Sequence, residues 1–131
     1  MKETIMNAAS AKHTYQNLKN KIRSEEEIGY DVISIALKKL ETNLYLLSEI
    51  QNPEEVTKPV ENALSTIYIL QRNLDLTNDS DLAKNLFQLY EFCRLKVIER
   101  VKVGPKANKD IKQCHSFIKE IYQSWEQTRH V

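Results

Sequence analysis

The chain has 131 residues, 41% hydrophobic and 28% charged, with a net charge of +1, the composition of one ordered domain that buries its core without metal or disulfide staples. Two glycines and three prolines exclude disordered and loop-dominated classes. The apolar runs fall far short of the roughly 18 residues of a membrane span, and the N-terminus lacks the apolar stretch of a secretory signal, so the expected compartment is the cytoplasm with no membrane insertion.

Ala8, Ala11, Tyr15, Leu18 and Ile22 recur at steps of three and four, predicting a first amphipathic helix from about Thr4 to Arg23. Ser24 followed by Glu25, Glu26 and Glu27 has the form of a capping box, in which the Ser24 hydroxyl accepts from the third helical amide and Glu27 accepts from the Ser24 amide. A long second helix follows. Ile33, Leu37, Leu40, Leu44 and Leu47 form its stripe, with Ile28, Val32, Ile35 and Ala36 beside it, and Asn52-Pro53 stops it near Gln51. Pro53 suits the first position of a helix capped by Asn52, but Pro59 would then remove an interior hydrogen bond, so the third helix is placed just after Thr57. Val60, Ala63, Ile67, Leu70 and Leu74 give it an apolar face. Thr77-Asn78-Asp79-Ser80 is a turn of capping residues, with Asp79 or Ser80 opening the fourth helix.

That fourth helix, reaching about Lys102, carries a surplus of apolar side chains. Leu82, Leu86, Leu89 and Cys93 make one row, and Ala83, Phe87 and Tyr90 make a second; an isolated domain needs one such stripe, so the other calls for cover by more of this chain or by a partner. Gly104-Pro105 ends the helix, and Ile111, Cys114, Ile118, Ile121 and Trp125 line the last one. The fold expected is all-α: an antiparallel up-down bundle of four long helices plus an N-terminal helix, in one domain over residues 1–131, with residues 1–23 as the N-terminal helix or cap and about 24–129 as the core. Cys93 and Cys114, both on apolar faces, read as small buried hydrophobes.

Charge is unevenly spread. Residues 1–23 hold five basic and one acidic side chain, residues 24–61 three and nine, and residues 94–113 seven and two. The last cluster, Arg94, Lys96, Arg100, Lys102, Lys106, Lys109 and Lys112, lacks a phosphate loop or recognition-helix pattern, so a solvated face or pairing with the acidic helix is expected rather than nucleic acid.

Chemistry is largely absent. A di-metal carboxylate bundle places a glutamate three residues before a histidine, whereas His13, His115 and His130 are preceded at that spacing by Ser10, Lys112 and Gln127. Nucleophile and base pairs, zinc spacings and nucleotide loops are not legible either, so neither an enzyme nor a cofactor is expected. His115 leaves histidine phosphotransfer as a remote alternative.

What remains is binding. Tyr15-Gln16, Ser24 with Glu27-Ile28, Ala36-Leu37, Leu74-Asp75, Leu82-Ala83-Lys84-Asn85-Leu86, Leu89-Tyr90 and Ser124-Trp125, in this order over residues 15 to 126, resemble the flagellar secretion chaperone family FliS. The resemblance implies a cytoplasmic chaperone that binds the disordered C-terminal segment of flagellin and prevents its polymerisation before secretion, with other export components as further partners. A helix-in-groove surface suits that task, because an apolar segment kept from polymerising needs its apolar face covered. Tyr15, Ile22, Ile28, Ile35, Leu86, Phe87 and Tyr90 are the expected partner contacts, with Tyr15 as a removable cover over the groove. The alternatives are a FliS-like paralogue with another export client and a homodimer or larger homo-oligomer that buries the surplus face against itself.

Overall fold

The computed structural model describes residues 23–77 and 81–128, with side chains from residue 29 onward. The predicted helix from Thr4 and the Asp79 and Ser80 caps lie outside these residues. The described residues form four α-helices, α1 (Arg23–Glu49), α2 (Thr57–Arg72), α3 (Asp81–Val103) and α4 (Asn108–Thr128), with 3-10 turns at Pro53–Glu55 and Gly104–Ala107. No strand occurs among the described residues.

The breaks have local causes. Asn52 is extended and its side-chain oxygen accepts from the Glu54 amide at 3.0 Å, so Pro53 opens a separate 3-10 turn rather than α2 itself. Pro59 then falls in the first turn of α2, where an amide would lack an intrahelical partner in any case. The other end of α2 closes at Asn73, whose side chain and backbone amides both donate to Ile69 O, at 2.8 and 3.2 Å. Gly104 supplies the only positive φ of the described backbone, +77°, and turns the chain between α3 and α4. α1 already includes Arg23 and Ser24, so the predicted Ser24 cap falls inside the first described turn.

Each helix lies against its neighbours in sequence, and α4 returns to α1, closing a ring in which the α1–α4 and α1–α2 seams are the most extensive and α3–α4 the thinnest. Side-chain contacts fix the directions. Tyr30 near the start of α1 stacks on Trp125 near the end of α4 (centroids 4.5 Å apart, 19° between planes) and donates to its carbonyl at 2.7 Å. Asn62 of α2 donates to Asn43 of α1 at 3.3 Å, and Gln71 of α2 donates to Glu91 of α3 at 3.1 Å. Neighbours therefore run antiparallel, up-down-up-down, as short connections require.

The core is one cluster: Ile33, Leu37, Leu40, Leu44 and Leu47 of α1; Ala63, Ile67 and Leu70 of α2; Leu82, Leu86, Leu89, Tyr90, Cys93 and Val97 of α3; Ile111, Cys114, Ile118, Ile121 and Trp125 of α4. Polar groups drawn into it are hydrogen-bonded, which removes the desolvation cost of burying them bare. Trp125 Nε1 donates to Ser34 Oγ at 2.8 Å, Asn43 donates to Lys39 O at 2.7 Å, and Thr66 donates to Asn62 O at 2.8 Å.

Candidate functional site

Leu86 and Tyr90, expected as partner contacts, are core residues, 5% and 3% exposed. The reason is angular. At about 100° per residue, Leu82, Leu86, Leu89, Tyr90, Cys93 and Val97 share one broad inward arc, all buried. The two rows in the sequence are thus mostly one face, with Tyr90 at its edge. Phe87 lies off that arc, half-buried on the α2 flank, where Gln71 Nε2 donates to its carbonyl at 3.4 Å. Ile35 is outward, 66% exposed. Tyr15 and Ile22 lie outside the described residues, as does the side chain of Ile28.

Ile35 does not stand alone. Val32 on the same face is 36% exposed, and Ile69 of α2 is 37% exposed. Val32 is three turns from Asn43, and Ile69 two turns from Asn62, so both fall on the stripes that meet at the Asn43–Asn62 contact. In the antiparallel register set by that contact, Val32 and Ile69 edge the same end of the α1–α2 seam, with Ile35 one step further out. The strip they form is apolar and open. The sequence sets Val32 and Ile35 beside the buried stripe and Ile35 among the expected contacts; the outward position of Ile35 follows from its lying nine residues, about 180°, from Leu44. Ile69 was missed because α2 already had a complete core face without it.

Polar contacts hold the other seams. Glu91 of α3 accepts from Gln71 of α2 at 3.1 Å and from Arg94 Nε at 2.9 Å, with Arg94 Nη2 on its second oxygen. The Arg94 hydrogen bonds first, and then Gln71, hold its carboxyl down at about 2. Across the α1–α4 seam, His115 Nε2 meets Glu41 Oε2 at 2.7 Å while Lys38 donates to the other Glu41 oxygen at 2.9 Å. Burial works to raise the Glu41 carboxyl, but hydrogen bonds from Lys38 and His115 outweigh it and keep it below the usual range. His115 is thus half-buried in an interhelical pair beside the Tyr45 ring, whose centroid is 5.7 Å away, rather than presented to solvent as a phosphoacceptor is.

The basic cluster of α3 and α4 pairs locally instead of with the acidic helix. Arg94 bonds Glu91 and Lys96 bridges Glu99 and Asp110, both at 3.4 Å. Arg100 turns inward, 2% exposed, and donates from Nη2 to Ile50 O at 2.7 Å and from Nε to Asn108 Oδ1 at 2.6 Å. It ties the end of α1 to the α3–α4 corner. Among the described residues no group of three or more His, Cys, Asp and Glu side chains is arranged to hold a metal ion, and no helix is long and apolar enough to cross a membrane.

The sequence pattern of the family described as "Flagellar protein FliS" matches residues 6–131 of the chain. Neither a curated protein nor a solved structure matches it.

Proposed function

The chain belongs to the FliS family, whose members are flagellar export chaperones, and from that membership we propose that its client is the C-terminal segment of flagellin, bound in the cytoplasm and kept from polymerising until it is secreted. The observation that carries this client reading is the open apolar strip of Val32, Ile35 and Ile69 along one end of the α1–α2 seam. A client that is unstructured before assembly orders as it binds, laying apolar side chains at three- and four-residue spacing into such a seam. Ile35 is the central contact of this proposal. Phe87 extends the surface at the α2–α3 seam, and Ile22 and Ile28 are further client contacts of this proposal. Tyr15 is assigned the role of removable cover in this proposal. Leu86 and Tyr90 support the surface from beneath. Binding and release need no nucleotide, because the client's own ordering cost keeps its affinity within reach of a competing export component.

The test is titration calorimetry with a synthetic peptide of the C-terminal segment of flagellin from the same organism, alongside a filament-elongation assay with the whole client. A one-to-one complex and a lag in elongation are expected. A protein that stays a stable dimer by light scattering, takes up no peptide and leaves elongation unchanged would replace this reading with the homo-oligomer.

A further inference from the structure

Two thiols face each other inside the thinnest seam of the bundle. Cys93 of α3 and Cys114 of α4 are free and fully buried. Their level is fixed by two contacts between them and the Gly104 corner. Lys96 bridges to Asp110, and Arg100 to Asn108, across the same pair of antiparallel helices. Three residues back from Lys96 is Cys93, and four residues on from Asp110 is Cys114, so the two sulfurs lie within about 1.5 Å of the same height along the bundle. Both point into the core cluster. Interaction with the Cys114 thiol, and then burial, push the Cys93 thiol far above its ordinary range.

We infer that Cys93 and Cys114 are an oxidation site, which a peroxide converts to an interhelical disulfide stapling α3 to α4. Hydrogen peroxide is small enough to enter the seam when it loosens. The thiolate of one cysteine attacks a peroxide oxygen, giving a sulfenic acid and hydroxide. The partner thiol then attacks that sulfur, the S–O bond breaks, the S–S bond forms and water leaves. Two thiols and one peroxide thus become one disulfide and two waters. The juxtaposition decides the product: a sulfenic acid at either position has the other thiol as its nearest nucleophile, ahead of a second peroxide. Because both sulfurs are buried while the bundle is closed, the reaction follows openings of the α3–α4 seam and takes hours rather than seconds. The bridge closes a loop of about 20 residues through the Gly104 corner, which removes freedom from the unfolded chain. Nothing in this step depends on the identity of the client.

The native full-length protein is to be treated with hydrogen peroxide, quenched with catalase, denatured, alkylated with iodoacetamide and weighed intact, with peptide mapping to separate cysteine from methionine oxidation. The expected product has lost two hydrogens from the cysteines, takes no alkyl group, yields a linked peptide pair holding Cys93 and Cys114, and melts about 10 °C higher until dithiothreitol reverses it. Cys93→Ser and Cys114→Ser should instead gain oxygen on the cysteine that remains. The wild-type mass decides the matter even where a serine variant fails to fold. Two alkylated cysteines after treatment, oxygen added to either cysteine of the wild type, disulfide-linked dimers or a lowered melting temperature would each overturn the inference.

Discussion

Replacing Arg100 by methionine tests how the closed end of the bundle is held. Arg100 is 2% exposed, and it donates hydrogen bonds to two neutral oxygens, Ile50 O at 2.7 Å and Asn108 Oδ1 at 2.6 Å. Burial accordingly pulls its pKa below the ordinary value. Each charge-assisted bond contributes about 1.5–3 kcal/mol, and removing both strands two acceptors at the junction of α1, α3 and α4. Against that stands the several kcal/mol of desolvation that a buried charge carries and methionine does not. Methionine also keeps most of the apolar stem that packs in the corner. The bonds win by a modest margin, because Ile50 is only half-buried and water can serve its carbonyl once the arginine is gone. Arg100→Met should lose about 2 kcal/mol, seen in urea as a fall of about 1 M in midpoint with an unchanged slope. A midpoint that stays put or rises would show that the guanidinium costs as much to bury as its bonds return, and that it does not hold the corner.

Tyr90 and Ile35 should separate stability from binding. Tyr90→Ala opens the core and costs about 3–5 kcal/mol, visible as early thermal melting, whereas Ile35→Ala should leave the melt within about 0.5 kcal/mol of wild type and weaken flagellin-peptide binding by about 5- to 30-fold, the return on burying an exposed isoleucine. Equal melting of the two variants would remove the angular argument. Gly104→Ala meets no atom within 4 Å, so its penalty is the positive φ alone, about 1–2 kcal/mol, read as a fall of several degrees in melting temperature, with Gly104→Asn falling between because asparagine tolerates this region. Acid should destabilise the fold through Glu91 and Glu41. Their carboxyls are depressed in the native state, so they contribute stability above the unfolded pKa of 4.5 and lose it as pH falls, for Glu91 down to about 2. Urea midpoints from pH 6 to pH 2 check this, and Glu91→Gln should flatten the acid limb.

The helices were legible in the sequence because their stops are chemical. Asn52-Pro53 and Gly104-Pro105 break the chain wherever they occur, and the heptad steps of Leu37, Leu40, Leu44 and Leu47 can bury only one way. Faces were harder. Tyr90 and Phe87 differ by three positions and both extend an apolar row, but the wide arc of α3 takes in Tyr90 and leaves Phe87 on the flank, a difference of angle that a list of apolar positions does not carry. Val32 sits in a helix so rich in apolar residues that its exposure could not be told from burial until α2 was in place, whereas Ile35, on the far side of the helix from Leu44, was among the expected contacts and is exposed. Ile69 was invisible for the opposite reason: its helix already had a full stripe. Of the two uses expected for the basic cluster, the solvated face holds for Lys102, Lys106, Lys109 and Lys112, while Arg94 and Lys96 pair with carboxylates three residues away rather than with the acidic helix.

The contact between Tyr30 and Trp125 joins residues 95 apart in the chain, and this bears on how the protein is made. Synthesis runs from the N-terminus, so α1 leaves the ribosome long before the helix that covers its widest seam. Until residue 125 emerges, Leu37, Leu40 and Leu44 have only α2 and α3 to shelter them, and the unfinished bundle is as sticky as the clients such proteins guard. The ring closes only once α4 has emerged, which makes early fold formation slow and exposes the nascent chain to aggregation. A premature stop anywhere in α4 should therefore be far more damaging than its few missing residues suggest, since it deletes the final wall of the barrel of helices rather than a dispensable tail.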